Sequence, residues 1–74
     1  MKKQILVVDD KRFLRETLID YLGEEYDIIE AETGEIALEK YRDLNIDLVL
    51  LDMNLPGING IKTLQMMKKI KKDI

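Results

Sequence analysis

A chain of 74 residues, 46% hydrophobic and 36% charged, is long enough for one small globular domain and too short for two. It has no cysteine and no histidine, which excludes disulfides, thiolate or imidazole catalysis and the usual zinc ligands, so a metal ion would need oxygen ligands. The net charge is −3. No apolar run is long enough to span a membrane, and acids interrupt the N-terminal apolar run where that of a signal peptide would continue. We therefore predict a cytoplasmic protein.

The first predicted strand is the apolar run "QILVV", residues 4–8, and two carboxylates, Asp9 and Asp10, follow it directly. Nearly continuous apolar runs of this length are typical of parallel strands that are buried on both faces of a sheet. A helix follows, because apolar residues recur at helical spacing up to Gly23, which we expect to be its C-terminal cap. The apolar positions of this helix are Leu14, Leu18, Tyr21 and Leu22.

The middle of the chain repeats the order of strand and helix. The segment "YDIIEA", residues 26–31, mixes apolar and charged residues, which favours a strand at the edge of the sheet. Thr33 is the predicted N-terminal cap of a second helix, because its hydroxyl can accept a hydrogen bond from a backbone N–H of the first turn. We expect the inward face of that helix to comprise Ala37, Leu38, Tyr41 and Leu44.

The third predicted strand is "DLVLL", residues 47–51, and it also ends on a carboxylate, Asp52. Asn59 is the predicted cap of a third helix. Its expected inward face comprises Ile61, Leu64, Met67 and Ile70. Five of the twelve basic residues fall between Lys62 and Lys72, and we interpret them as a solvated helix face that complements the helix dipole rather than as a surface that binds nucleic acid or a membrane.

The order βαβαβα predicts an α/β fold with a parallel sheet, right-handed crossovers and helices on both faces. We expect the strand order 2-1-3, in which the direction of the chain reverses beside the first strand. Open α/β sheets bind their ligands at such a reversal, at the carboxyl ends of the strands. Asp9, Asp10 and Asp52 would meet in one crevice there, although 42 residues separate Asp10 from Asp52 in sequence.

Three carboxylates this close repel one another unless a cation lies between them. Mg²⁺ suits such a cluster, because it prefers oxygen ligands and commonly combines one or two carboxylates with a phosphate. An aspartate can also attack phosphorus, so Asp52 is a candidate phosphate acceptor. The alternative is structural: Asp9 or Asp10 caps the first helix, and Asp52 begins a turn with Pro56 and Gly57. Acids at the ends of both strands favour the chemical interpretation, because a cap needs only one acid.

Three blocks of the sequence resemble, in order and spacing, the receiver domain of bacterial two-component response regulators: "ILVVDDKRFLRETL", "YDIIEAETGEIALE" and "DLVLLDMNLPGINGIKTL". The resemblance implies a flavodoxin-like, three-layer αβα fold. It also implies a receiver rather than an enzyme, which takes a phosphoryl group from a sensor histidine kinase or a phosphotransfer protein.

By the same resemblance Asp52 is the phosphoacceptor and binds Mg²⁺ directly together with Asp10. Asp9 helps through a water molecule, and Asn54 contributes its backbone carbonyl. Three basic residues begin the first helix, where partners of this family dock, and an interpretation as solvated helix residues has equal weight. These residues are Lys11, Arg12 and Arg15.

Receiver domains of this family continue through two more strands and helices, which carry a Ser or Thr and a Lys. We therefore expect residues 1–74 to be a receiver domain truncated before strands four and five, without the switch elements. Such a truncation would leave the third strand as an unpaired apolar edge. An edge of that kind invites pairing, and we predict a homodimer through the third strand with the order 2-1-3-3-1-2.

Three functional hypotheses follow, and the third is disfavoured. The first is a fragment of a phosphorelay receiver that keeps its Mg²⁺ pocket and its phosphoacceptor. The second is an engineered or truncated half-domain that folds and self-associates without phosphotransfer. A third, an aspartyl-nucleophile phosphatase of the haloacid dehalogenase type, is disfavoured, because Asn54 stands where that family has its second aspartate.

Overall fold

The computed structural model describes residues 1–70, which form three strands and three helices in the predicted order. The elements are β1 (Lys3–Val8), α1 (Arg12–Leu22), β2 (Tyr26–Ala31), α2 (Gly34–Asp43), β3 (Leu48–Leu51) and α3 (Gly60–Ile70). Among the basic residues assigned to a solvated face of the third helix, Lys62, Lys68 and Lys69 are exposed, and Lys71 and Lys72 lie outside the described residues.

The strands form one parallel sheet in the order β2-β1-β3, which confirms the predicted topology. All six residues of β1 pair with β2, and the register with β3 runs from Ile5 opposite Leu48 to Val8 opposite Leu51. The short mixed strand β2 lies at an edge, as its sequence predicts. Because β1 is central, both of its faces need cover, which explains its nearly continuous apolar sequence.

The two faces of β1 are covered by different helices. Leu6 and Val8 point into the main core, which α2, α3 and the loops beside them complete. The other members of this core are Ala31, Ala37, Leu38, Tyr41, Ile46, Leu55 and Met67. Side chains alternate along a strand, so Ile5 and Val7 point to the opposite face, where α1 lies, and they are also buried. The result is the flavodoxin-like, three-layer αβα arrangement.

Hydrogen bonds cap the helices at the residues that the sequence predicts. Thr33 Oγ1 accepts a hydrogen bond from the Ile36 N–H at 3.1 Å, and Asn59 Oδ1 accepts one from the Lys62 N–H at 2.8 Å. At the end of α1, the Gly23 N–H donates to the Ile19 carbonyl at 2.8 Å. All three predicted caps are therefore confirmed, and they fix where each helix enters or leaves the sheet.

Two predicted inward positions are wrong, since Leu44 and Ile61 are exposed, and two of the four apolar positions of α1, Leu14 and Tyr21, are exposed as well. Within residues 1–70, α1 is the single helix on its face of the sheet, and none of its residues is fully buried. Leu44 follows α2 in an extended conformation and leaves the helical periodicity.

Of the predicted inward residues of α3, Met67 is fully buried and Ile70 packs against the core, but Ile61 lies outside this face. The inward stripe of α3 begins with Gly60 and Thr63 and continues to Met67. Small residues at the start of this stripe allow α2 to approach closely, and the adjacent Ile61 then lies to one side.

The contact of α2 with α3 depends on Gly34, where a methyl group would overlap Thr63 Oγ1 and lie 2.7 Å from Ile58 Cγ1. We expect Gly34→Ala to lower the free energy of unfolding by about 1–3 kcal/mol, because the helices must separate to admit it. Urea denaturation measures this change. Glu39→Ala, at an exposed position of the same helix, is the control and should change stability little. Equal stability of the two variants would contradict the close contact.

Candidate functional site

Three carboxylates lie together at the carboxyl edge of the sheet. One oxygen each from Asp9, Asp10 and Asp52 lies within 4.8 Å of the others. Backbone hydrogen bonds prolong the sheet to this point, since the Asp9 N–H donates to the Ala31 carbonyl at 3.0 Å and the Asp52 N–H to the Val8 carbonyl at 2.9 Å. The topology therefore brings all three predicted carboxylates together.

Asp52 is held in place by its own loop. Its Oδ1 accepts a hydrogen bond from the Asn54 N–H at 3.0 Å, and its side chain is only 18% exposed. The pKa of Asp52 lies below its ordinary value of 3.8, mainly because its carboxylate accepts the Asn54 hydrogen bond. Partial desolvation opposes this lowering, and the nearby charge of Lys11 lowers the pKa further. Asp52 is therefore an ionised carboxylate at neutral pH.

Asp9 and Asp10 differ in their surroundings. The side chain of Asp9 is only 9% exposed, and its Oδ1 accepts a hydrogen bond from the Lys11 N–H at 2.8 Å, just before α1 begins. Asp10 is the more exposed of the two. The structural alternative is wrong for α1, because Lys11 is its N-cap and no side chain caps the helix, whereas Asp52 does accept a backbone hydrogen bond within its own turn. Each of the two backbone bonds engages a single carboxylate oxygen.

The loop after Asp52 contains Asn54, whose N–H donates the hydrogen bond to Asp52 Oδ1. The loop returns to the sheet at Gly60, whose N–H donates to the Met53 carbonyl at 3.2 Å. A methyl group at Gly60 would overlap the Asp52 carbonyl oxygen, so this close approach requires glycine. Gly57 adopts a positive φ of 75° beside Glu35, and Leu55 is buried in the main core. These contacts hold the loop, and with it Asp52, against the rest of the fold.

Lys11 is a member of the site that the sequence analysis assigned only to partner docking or solvent. Its Nζ lies 3.4 Å from Asp52 Oδ2, 3.6 Å from Asp10 Oδ1 and 3.8 Å from Asp9 Oδ1. The charges of Asp9, Asp52 and Asp10, in that order of size, raise the pKa of Lys11 above its ordinary value. Its position directly after Asp10 was the one signal in the sequence.

Arg15 also belongs to the support of the site rather than to a solvated docking surface. Its side chain is 11% exposed, its Nε donates to Glu30 Oε1 at 3.0 Å, and its Nη1 donates to the Asp9 carbonyl at 2.7 Å. Arg15 thus ties the end of β1 to the end of β2. Arg12 is exposed, as predicted, and pairs with Glu16 one turn away along α1.

A crevice of about 480 Å³ leads from the carboxylates along the face of the sheet that carries α1. Its apolar part is formed by Val7, Leu14, Leu18, Leu50 and neighbouring residues. Within residues 1–70, no helix combines the length and the apolar character needed to cross a bilayer.

Comparison with known proteins gives one consistent result. The sequence profile of the response regulator receiver domain matches residues 5–74. The chemotaxis protein CheY of Halobacterium salinarum is 41% identical over 70 residues, which cover 93% of this chain and 58% of the relative. The chain thus spans less than two thirds of that protein.

Two solved structures of Thermotoga maritima proteins are similar to the fold described above. The response regulator protein TrrA in complex with Mg²⁺-BeF has a TM-score of 0.90 and 50% identity, covering 96% of this chain and 63% of that one. TrrA in complex with the histidine kinase ThkA has a TM-score of 0.89 and 50% identity, covering 96% of this chain and 62% of that one.

The support that Arg15 gives to the site can be tested by Arg15→Met. We expect this variant to lose about 2 kcal/mol of stability, because the Asp9 carbonyl and the Glu30 carboxylate lose a charged hydrogen-bond donor. Urea denaturation measures the loss. Arg12→Met, the same substitution three residues earlier at a surface ion pair, should cost less than about 0.5 kcal/mol. Similar losses in both variants would show that the contacts of Arg15 have no special weight.

Proposed function

The chain belongs to the response regulator receiver domain family, and from this membership we propose that residues 1–74 form a phosphorelay receiver that accepts a phosphoryl group on Asp52. The observation that carries the proposal is the position of Asp52, at the end of β3 and within 4.8 Å, oxygen to oxygen, of two further carboxylates. Receiver domains generally transmit signals rather than catalyse turnover, so we propose phosphoryl acceptance without a further enzymatic reaction.

The oxygen-only donor set of the cluster suits Mg²⁺. The Lys11 ammonium group, which lies within 4 Å of all three carboxylates, supports the proposal that this cluster attracts a cation. We propose Asp10 and Asp52 as direct ligands, Asp9 as a ligand through water, and the backbone carbonyl of Asn54 as the remaining protein ligand. The similar protein TrrA was solved with Mg²⁺-BeF. When bound, Mg²⁺ neutralises carboxylate charge and attracts the oxygens of an incoming phosphoryl group.

In the proposed reaction one carboxylate oxygen of Asp52 attacks the phosphorus of a phosphorylated histidine. The new O–P bond forms while the P–N bond breaks, and the electron pair of that bond remains on the imidazole nitrogen of the donor. The Asn54 N–H holds the Asp52 carboxylate, and the bond to Val8 holds its backbone, so little reorientation is needed before attack. The product is an acyl phosphate on Asp52.

The partner that we propose is a sensor histidine kinase or a phosphotransfer protein. The similar protein TrrA was solved in complex with the histidine kinase ThkA. At the start of α1, beside the carboxylates, this chain exposes Arg12 and Phe13, which a docking partner can reach. A phosphoryl donor made from ATP is found in the cytoplasm. We therefore propose a cytoplasmic location.

The structure also supports a second candidate property, self-association through β3. Within residues 1–70 this strand has β1 as its single neighbour, and Leu48 on it is 50% exposed. A groove of about 310 Å³ lies beside the strand and is lined by apolar residues that include Val49, Leu51 and Leu64. Edge strands with apolar surroundings readily pair with another chain. A two-fold axis along this edge would give the order 2-1-3-3-1-2, with one antiparallel contact.

The phosphoacceptor assignment is tested by the intact mass of the protein after incubation with a small phosphodonor. We expect one added phosphoryl group in the presence of Mg²⁺ and none in its absence, because the carboxylates otherwise repel the donor. Asp52→Asn should take up no phosphoryl group, since it lacks the nucleophilic oxygen. Asp20→Asn, at an exposed position of α1, should be phosphorylated like the unmodified protein. A phosphoryl group on Asp52→Asn would overturn the assignment.

Self-association is tested by light scattering. We expect a dimer for the unmodified chain and a shift toward monomer for Leu48→Lys, because a charge on an edge strand opposes strand pairing. Ile61→Lys, at an exposed apolar position of α3, is the matched control and should remain dimeric. A folded monomer over the whole concentration range would exclude the homodimer.

A further inference from the structure

Lys11 is the one side chain of the carboxylate cluster for which the proposed function has no role. Its ammonium nitrogen lies within 4 Å of all three carboxylates, at 3.4 Å from Asp52, 3.6 Å from Asp10 and 3.8 Å from Asp9. The nearby cations of α1 are engaged elsewhere, since Arg12 pairs with Glu16 and Arg15 with Glu30. Lys11 is therefore the basic side chain of α1 and its N-cap that offsets the negative charge of these carboxylates.

We propose that Lys11 is a built-in counter-ion that occupies the carboxylate cluster and competes with Mg²⁺ for it. This inference rests on the metal site proposed above. An ion that contacts the same oxygens would lie only a few ångström from Nζ, and positive charges at that separation repel each other. Lys11 must therefore move away when Mg²⁺ binds, and its attraction to the carboxylates lowers the apparent affinity for the ion.

The backbone fixes Lys11 in the position to compete. Its N–H donates to Asp9 Oδ1 at 2.8 Å, so the Cα of Lys11 is held beside the carboxylate that its own ammonium group approaches. The lysine lies between the end of β1 and the first residue of α1. Only the flexible part of the side chain has to move for the ammonium group to enter or leave the cluster.

The exposures of Lys11, Asp9 and Asp52 favour exchange of one cation for another. Asp9 and Asp52 are 9% and 18% exposed, so these carboxylates need a cation nearby to offset their mutual repulsion. Lys11 is 66% exposed, so its ammonium group can move from the carboxylates into water. One ammonium charge leaves a cluster of three carboxylates still negative, which attracts a divalent ion and permits it to displace the lysine.

The proposal is tested by calorimetric titration of the folded chain with MgCl₂ at neutral pH and constant ionic strength. We expect Lys11→Met to bind Mg²⁺ about tenfold more tightly than the unmodified chain, since a competing charge near the ion is removed. Lys11→Arg keeps the charge and should stay within about threefold of the unmodified chain. Lys2→Met makes the same change in net charge at the opposite end of β1 and should also leave the affinity nearly unchanged.

The outcomes separate this proposal from the proposed function. Equal affinities of Lys11→Met and Lys2→Met would overturn the competition and leave the metal site intact. Weaker binding by Lys11→Met would also overturn it and would give Lys11 a supporting role. If no variant binds Mg²⁺, the metal site fails together with this proposal. In that case phosphoryl transfer to Asp52 is still decided by the mass measurement.

A second measurement uses the unmodified protein and does not depend on the folding of a variant. Carbon and proton NMR signals of the Lys11 ε-methylene group report whether the ammonium group lies against the carboxylates. On addition of MgCl₂ we expect these signals to move toward those of a solvent-exposed lysine such as Lys68 of α3, while the signals of Lys68 itself stay unchanged. Lys11 signals that do not respond while Mg²⁺ binds would overturn the proposal.

Discussion

Mutual repulsion among Asp9, Asp10 and Asp52 is the constraint around which this end of the molecule is arranged. The sheet forces the three carboxylates together, because hydrogen bonds from the backbone of Asp9 and Asp52 prolong the pairing of β1 with both neighbouring strands. The surrounding groups offset that repulsion: backbone N–H groups bond to two of the carboxylates, and the Lys11 ammonium group lies near all three. The same contacts that allow the strands to end there thus hold the three carboxylates together, at the position proposed for a phosphoryl group and its cation.

The two faces of the sheet contribute unequally to the fold. On one face, α2 and α3 enclose the main core, where Tyr41, Met67 and Thr63 are fully buried. On the other face, α1 has no fully buried residue, and grooves of about 570 and 480 Å³ lie between it and β3. Most of the apolar burial that stabilises the chain therefore lies on the α2–α3 face. The loop that carries Asp52 joins that face through Leu55, so the phosphoacceptor candidate is attached to the better packed half.

The sequence predicted the elements well because each has a strong local signal. The apolar runs of β1 and β3 each end on an acid, and the caps Thr33 and Asn59 bond to the helix ends that they precede. It predicted helix faces less well, because the residue that faces the core depends on the neighbouring element. Ile61 has the right spacing for the core, but the helix packs closely against α2 through Gly60 and Thr63, and Ile61 then lies to one side.

The sequence by itself determined the order of the elements, and with it the meeting of Asp9, Asp10 and Asp52, since parallel strands with helical crossovers place their carboxyl ends at one edge. Only the tertiary structure decided which cations meet these carboxylates. Lys11, Arg12 and Arg15 are equivalent in sequence as basic residues at the start of a helix, yet one enters the cluster, one stays in solvent and one ties β1 to β2. The physical reason is that a long side chain adopts the direction of the charges around it, and two of those charges, Asp52 beside Lys11 and Glu30 beside Arg15, come from strands distant in sequence.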